Sequence, residues 1–375
     1  MTWQTKQLSE VLEYEQPTPY IVSSKNYRDD YKTPVLTAGK SFILGRTKEK
    51  TGIFPSKDLP VIIFDDFTTA TKFVDFPFKV KSSAMKILRP AKNISDAKFL
   101  FYMIQNITFD HTGIHKRYWI SEYSKIEVPF PSISEQKRIV KKLDKVFENV
   151  TIAKENAEKN LQNSKELFES YLQSVFAKPG KDWEETSLGD AYDVRDGTHD
   201  SPRYQKEGYA LVTSKNLKRD LLNFDKIKYI SEKDYQKINE RSKVDKGDIL
   251  FAMIGTIGNP VVVEVEPNFA IKNVALFKIP KEQNAYFLKY FLDSKFVIDK
   301  MMSEAKGTTQ KFVGLGYLRS FKIKLPPLLG QKVIVKKLES LSLETKKLEK
   351  IYEQKLADLE EFKKSLLNKA FKGEL

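Results

Sequence analysis

Residues 128–178 read VPFPSISEQKRIVKKLDKVFENVTIAKENAEKNLQNSKELFESYLQSVFAK, and residues 323–373 read IKLPPLLGQKVIVKKLESLSLETKKLEKIYEQKLADLEEFKKSLLNKAFKG. One stretch lies on the other without a gap. Gln136 falls on Gln331 and Phe176 on Phe371, an offset of 195 in both cases. Between 136 and 143 only Arg138, aligned with Val333, differs. Lys-rich helices resemble one another by composition, so likeness in the charged middle carries little weight. The Pro before each segment, the shared QKxIVKKL start and the equal length point to an internal duplication.

Each copy predicts one long helix. Pro131 and Pro326–Pro327 cannot sit inside a helix but can precede one, and Ser134 is a candidate N-cap. Apolar residues then recur at alternating steps of three and four. The first copy offers Leu143, Val146, Val150, Ala153, Ala157, Leu167 and Tyr171, broken at Asn160 and Ser164. The second offers Leu338, Leu341, Leu348, Tyr352, Leu359, Phe362 and Leu366, broken at Thr345 and Lys355. Such a stripe between solvated Lys/Glu faces is a coiled-coil seam. The first seam is too weak to hold a homodimer, so the expected partner of each helix is the other, packed antiparallel. At about 1.5 Å per residue, such helices are rods of about 65 Å, a spacer's length.

The chain has 375 residues, which implies two to three domains, and no run of eighteen apolar residues that would span a membrane. MTWQTKQLSE lacks the basic start and apolar run of a signal peptide, and the chain has no cysteine. A cytoplasmic location is therefore expected, with no disulfide, thiolate nucleophile or Cys-ligated metal. The net charge of +14 divides as +5 over 1–130, +2 over 131–178, +4 over 179–325 and +3 over 326–375. Charge spread this thinly fits nucleic-acid binding without requiring it.

Outside the helices, residues 1–130 alternate short apolar runs with turns. Val61–Phe64 reads as a buried strand, 78–88 (FKVKSSAMKIL) as a strand pair or bent strand, 97–107 as a helix and Ile126–Phe130 as a closing strand. Residues 179–325 repeat the plan. Trp3 with Leu8 and Trp183 with Leu188 share a Trp-x4-Leu opening, and Asp248–Ile254, Ala275–Ile279, 284–298 and Phe321–Leu325 supply the counterparts. The fold class is α+β: two pseudo-repeated domains with mixed β cores, 1–130 and 179–325, separated by two long antiparallel coiled-coil helices, 131–178 and 326–375. Pro179-Gly180 stops the first helix.

This order resembles the specificity subunit of type I DNA restriction–modification systems, in which two target-recognition domains alternate with two spacer helices. The second domain carries the family's recurrent phrases in order. They are Asp196-Gly197-Thr198-His199 with Ser201-Pro202, VTSKNL at 212–217, ISEKDY at 230–235, GDILFAMIGTIG at 247–258 and GTTQ at 307–310. The first domain lacks DGTH and GDIL and keeps only Gly113-Ile114-His115-Lys116 as a counterpart of GTTQ. The resemblance implies a chain without chemistry of its own. Each recognition domain would read one half of a bipartite, asymmetric site on double-stranded DNA. The helices would set the gap and dock two methyltransferase (modification) subunits, joined by restriction subunits. S-adenosylmethionine, ATP and Mg would belong to those partners, with no cofactor on this chain.

The residues suited to DNA contact follow from their chemistry. Arg195, Thr198, His199, Ser201, Arg203 and Tyr204 mix cations and small polar groups around a Gly turn, where Arg can meet phosphate or guanine. Thr308, Thr309, Gln310 and Lys311 form a second candidate, since Gln can pair bidentately with adenine. His115, Lys116, Arg117 and Tyr118 are its first-domain counterpart. Lys40, Arg46 and Lys48 form a basic loop, and Lys215 and Asn216 follow a strand. Asp65-Asp66 reads as strand-end polarity rather than a metal site, and His199 has no second histidine in its domain to share a metal. Gly255-Thr256-Ile257-Gly258 is too short for a dinucleotide or Walker loop and reads as a strand-to-strand turn. With methyltransferase and nuclease motifs missing, the alternative class is a coiled-coil adaptor without DNA specificity.

Overall fold

The computed structural model describes residues 3–37, 41–108, 117–218, 220–307 and 310–375. The chain divides into two units, Met1–Glu158 with Gln354–Leu375, and Lys159–Glu353. In the first, it passes through β1 (Gln4–Gln7), α1 (Leu8–Val11), β2 (Leu12–Glu15), β3 (Thr33–Leu36), β4 (Ile43–Thr47), β5 (Val61–Asp65), β6 (Thr71–Val74), β7 (Lys79–Val80), β8 (Met85–Pro90), α2 (Ala97–Asn106), α3 (Tyr118–Ser121) and β9 (Glu127–Phe130). The long helix α4 (Ile133–Ala177) follows. The second unit adds β10 (Glu184–Ser187), α5 (Leu188–Ala191), β11 (Asp193–Asp196), β12 (Tyr209–Val212), β13 (Leu217–Lys218), β14 (Leu221–Leu222), β15 (Lys228–Ile230) and α6 (Glu232–Ser242). Then come β16 (Ile249–Ala252), β17 (Gly258–Val262), β18 (Phe269–Ile271), β19 (Val274–Lys278), α7 (Ala285–Asp293), α8 (Lys295–Glu304), α9 (Leu315–Ser320) and β20 (Lys322–Leu325). The second long helix is α10 (Leu328–Phe371). Among the described residues, no helix is long and apolar enough to cross a membrane.

The two units repeat one topology. Antiparallel four-stranded sheets run β2-β8-β5-β6 and β11-β19-β16-β17, and three-stranded sheets run β4-β3-β7 and β15-β12-β18. In the latter, β3 pairs parallel with β7, and β12 with β18. The opening strand closes on the last one in both units, with Gln4 opposite Phe130 and Glu184 opposite Leu325. β5 and β16 lie second from the edge of their four-stranded sheets, and every residue of both is buried. That explains their unbroken apolar runs. The stretch 78–88 is not a hairpin: β7 joins β3 in one sheet, whereas β8 joins β5 and β2 in the other. The expected helix 284–298 is two helices, broken at Ser294, which is buried and donates through Oγ to Phe291 O at 2.7 Å.

The helix pair follows a seam that differs in part from the one expected. Leu143, Val150 and Ala157 lie along it with the half-buried Val146 and Ala153, but Phe147 is buried beside Val146, Phe168 replaces the exposed Leu167, and Leu161 fills the turn where Asn160 is the expected break. Leu167 is 51% exposed, and on the second helix Phe362 is 48% and Leu348 38% exposed. Of the four expected breaks, Asn160 and Lys355 are exposed, whereas Ser164 and Thr345 are buried in the seam. Each hydroxyl donates back to its own helix, Ser164 to Asn160 O at 2.8 Å and Thr345 to Leu341 O at 3.0 Å, so burial leaves no polar group unpaired. Pairing is antiparallel within each unit. In the first, Leu143 and Phe147 cluster with Leu367, Ala370 and Phe371, and Lys154 meets Glu360 at 2.6 Å. In the second, Leu172 and Phe176 cluster with Val335 and Leu338.

Ser132, not Ser134, caps α4: its Oγ accepts from Glu135 N at 3.4 Å. The stronger fastening is the first residue of the repeated phrase. Gln136 is fully buried; its Oε1 accepts from Asp96 N at 2.8 Å, and its Nε2 donates to Ile94 O at 3.0 Å and Pro131 O at 2.9 Å. Gln331 is 1% exposed; its Oε1 accepts from Asn284 N at 2.9 Å, and its Nε2 donates to Gln283 Oε1 at 2.7 Å and Pro326 O at 2.9 Å. Asp96 and Asn284 are themselves N-caps, accepting from Phe99 N and Phe287 N. Removing either carboxamide takes a partner from the half-buried cap amide and from the buried Pro carbonyl. Gln136→Ala is therefore expected to cost about 1–3 kcal/mol, read as a lower urea midpoint, whereas Lys137→Ala on the exposed face stays within about 0.5 kcal/mol.

Candidate nucleic-acid interface

Strand direction gathers the loops of the second unit. In the sheet β11-β19-β16-β17 every neighbour is antiparallel, so β11 and β16 end where β19 and β17 begin. The loops 197–204, 253–257 and 272–273 therefore emerge at one end of the sheet. A fourth segment is stitched to them, with Gly255 N donating to Lys311 O and Val313 N to Met253 O, both at 3.0 Å. Lys272 N donates to Val212 O at 2.9 Å, which adds the start of VTSKNL. Four phrases separated by up to about a hundred residues of sequence meet there.

Two glycines permit the approach. A Cβ on Gly197 would lie 2.2 Å from Ile271 O, inside the backbone that pairs Thr198 with Lys272. Gly255 has φ +80°, and a Cβ on it would lie 2.9 Å from Gln310 Nε2. The glycine turn thus forms the bed on which Gln310 rests.

Asp196 organises the first loop. It is 4% exposed, and its carboxylate takes hydrogen bonds from Arg241 through Oδ1 and pairs with His199 Nε2 through Oδ2 at 2.9 Å. The other ring nitrogen of His199 lies 2.8 Å from Asn273 Oδ1, so the imidazole is held on both edges while its side chain stays 61% exposed. Lys272 Nζ donates to Asp200 O at 2.8 Å and Ser201 Oγ at 2.5 Å. A cleft of about 210 Å³ lies between this loop and α6, with Thr198, Ser201, Lys237 and Arg241 in its wall. Asn273, Lys272 and Arg241 had no signal in the sequence, because each becomes part of the loop only through sheet pairing or an ion pair.

The expected contact residues separate into groups. Ser201, Arg203, Tyr204, Lys215, Gln310 and Lys311 are exposed and Thr198 is half-buried. The Tyr204 ring carries Lys228 Nζ at 4.2 Å from its centroid. Arg195 is engaged with Asp193 at 2.5 Å, which holds that carboxyl below its ordinary range, and also donates to Arg241 O at 3.3 Å. Asn216 is a correction. It is buried, Oδ1 accepting from Thr213 N and Nδ2 donating to Asn223 O at 3.0 Å, so it shapes the turn instead of facing solvent.

In the first unit, Arg117 and Lys48 are exposed, while Arg46 is half-buried and donates to Lys32 O at 2.9 Å. Tyr118 is a second correction, being 4% exposed in the core. Its N donates to Asp66 O at 3.2 Å, as Val313 N does to Met253 O, again at an offset of 195. Lys40, His115, Lys116, Thr308 and Thr309 lie outside the described residues. The Asp65 carboxylate accepts from Phe67 N, Thr68 N and Thr68 Oγ1, and Asp66 accepts from Trp119 N at 2.9 Å. Asp65 is occupied by its own turn, and Asp66 by Trp119 N and by Lys86 Nζ at 3.7 Å. Among the described residues, no group of three or more His, Cys, Asp or Glu side chains is placed to hold a metal ion.

The model of the type I restriction modification DNA specificity domain matches this chain twice, over residues 1–163 and 180–358. The chain belongs to that family. One stretch of 147 residues is 49% identical to the EcoR124I/EcoR124II specificity subunit of Escherichia coli, covering 37% of this chain and 36% of that protein. The MjaVIII specificity subunit of Methanocaldococcus jannaschii is 28% identical over 329 residues, covering 79% of this chain and 74% of that one. The match thus spans about a third of the first relative and about three quarters of the second. Two solved structures share the fold. One, from work on complex assembly and conformational transition of the type I R-M system, has a TM-score of 0.74 at 20% identity, covering 100% of this chain and 98% of that one. The HsdS subunit from Thermoanaerobacter tengcongensis gives 0.60 at 18%, covering 100% and 97%.

The loop end of the second specificity domain depends on Gly197. Gly197→Ala is expected to destabilise the protein by about 1–3 kcal/mol and expose the 197–204 loop to protease. Gly316→Ala, with nothing within 4 Å of the added Cβ, serves as the neutral control.

Proposed function

We propose that this chain is the DNA sequence-specificity subunit of a type I restriction–modification complex, each specificity domain reading one half of a bipartite, asymmetric site. The observation that carries the reading is the convergence of four family phrases at one end of the β11-β19-β16-β17 sheet, with His199, Ser201, Arg203, Tyr204, Gln310 and Lys311 exposed there. Lys and Arg on this surface hold phosphates and set the register. Gln310, which rests on the Gly255 turn, reads a base edge. Lys48 and Arg117 supply the corresponding cations of the first specificity domain.

In this reading the long helices set the gap between half-sites and dock two methyltransferase subunits, with restriction subunits completing the assembly. Methyl transfer and ATP-driven cleavage belong to those partners, together with S-adenosylmethionine, ATP and Mg. This chain contributes recognition and no reacting group, and works in the cytoplasm where the DNA is.

Two measurements test it. With about six phosphates neutralised, affinity for the target duplex should fall about a thousandfold between about 50 and 200 mM salt, whereas an adaptor that binds only proteins would show no duplex binding to lose. Gln310→Ala should relax methylation at a single base pair, by about 1–3 kcal/mol of discrimination, in the half-site read by the second domain. Methylome sequencing reads this directly, and relaxation in the other half-site would contradict the division of labour.

A further inference from the structure

We propose that Gln136 and Gln331 are positioning residues that fix the rotational phase with which each long helix leaves its recognition domain, and thereby the gap between half-sites. The proposal rests on the reading of the chain as a DNA specificity subunit. It is carried by a bond pattern that recurs in both units. Each carboxamide is buried, its oxygen on the N–H of the residue capping α2 or α7 and its nitrogen on the Pro carbonyl of the turn before its own helix.

A carboxamide is planar and directional. It can serve the cap of one helix and the preceding turn of another only at one rotation of the long helix about its axis. Turning the helix by one residue swings the side chain by about 100° and breaks all three bonds. The apolar contacts around it are non-directional and tolerate small rotations. These are edge-to-face rings, Phe371 on Phe99 at 5.4 Å in the first unit and Phe176 on Phe287 at 5.5 Å in the second. α2 and α7 therefore each touch the start of one long helix through the glutamine and the end of the other through a phenylalanine.

The two joints differ in their reinforcement. At the first, Asp144 on α4 accepts from Lys98 Nζ at 2.7 Å and from Tyr102 Oη at 2.6 Å, both on α2. At the second, the aligned position is Glu339, and Tyr286, which takes the place of Lys98, gives its hydroxyl to Glu264 on the globule instead. The second joint has a tether of its own, because Asp220 on the globule pairs with Lys289 on α7 and, at 3.6 Å, with Lys346 on α10.

The test uses the full chain assembled with its modification subunits, acting on a plasmid library in which the half-sites are held and the gap is varied by one base pair either way. Gln331→Met keeps the volume and removes the three bonds; Gln331→Glu keeps the acceptor for Asn284 N and loses the donor. The wild type is expected to methylate one gap. In Gln331→Met the ratio of off-gap to native-gap methylation should rise about fivefold or more, the factor that one lost hydrogen bond represents, with the half-site bases unchanged. Gln331→Glu should fall between, and Gln136→Met should show a rise of similar size. If Gln331→Met does not fold, Gln331→Glu decides alone. An unchanged gap ratio in the folded variants, even with lower total activity, overturns the proposal, as does a change in half-site bases. Absence of bipartite methylation by the wild type would instead overturn the reading on which it rests.

Discussion

The architecture depends on one carboxamide per long helix. Helix pairs built from apolar seams are free to slide, and the seam here is thin: Ser164, Thr345 and Lys154 occupy positions that a stronger coiled coil would give to Leu or Ile. What the seam lacks in specificity, Gln136 and Gln331 supply at the helix start. Each joins three elements that packing alone would leave loosely related: the closing strand with its Pro turn, the long helix, and the N-cap of α2 or α7. Burying such a group is tolerable only because every polar atom in it is used.

A second constraint shapes the loop end of the sheet β11-β19-β16-β17. An antiparallel sheet necessarily presents alternate loops at the same end, so residues that are remote in the chain become neighbours without any long-range design of their own. The buried Asp196 converts that neighbourhood into a defined geometry, holding His199 from one loop and Arg241 from α6. Rigid support beneath exposed polar groups is what a surface needs if it is to discriminate between hydrogen-bonding patterns. The four-stranded sheets carry this load, and the loops above them vary freely between the two units.

Much of this was legible in the chain. The duplicated helices, the Trp-x4-Leu openings ahead of α1 and α5, the buried strands β5 and β16 and the matching closing strands all follow from local patterns that the fold leaves intact. The seam differs from the apolar stripe where Ser164 and Thr345 are buried without an apolar signal and Leu167 and Phe362 are exposed despite one. The stem of a lysine and a hydroxyl bonded to its own helix can fill a seam as well as a methyl group can. Tyr118 and Asn216 looked like contact residues because their types are common in interfaces, and only burial revealed their structural roles. The Asp196–His199–Asn273 arrangement was invisible for another reason: its members meet through sheet register, which no short window contains.

The stretch that the two copies share at all but one position has a genetic consequence. QKxIVKKL contains the glutamine that makes each joint, while the parts that differ between the domains lie upstream of it. An exchange of coding segments within that repeat would carry a whole globule up to its own Gln, cap and Pro turn, and deliver it onto an equivalent helix. New pairs of domains would arise by such an exchange with the geometry of the joint already correct.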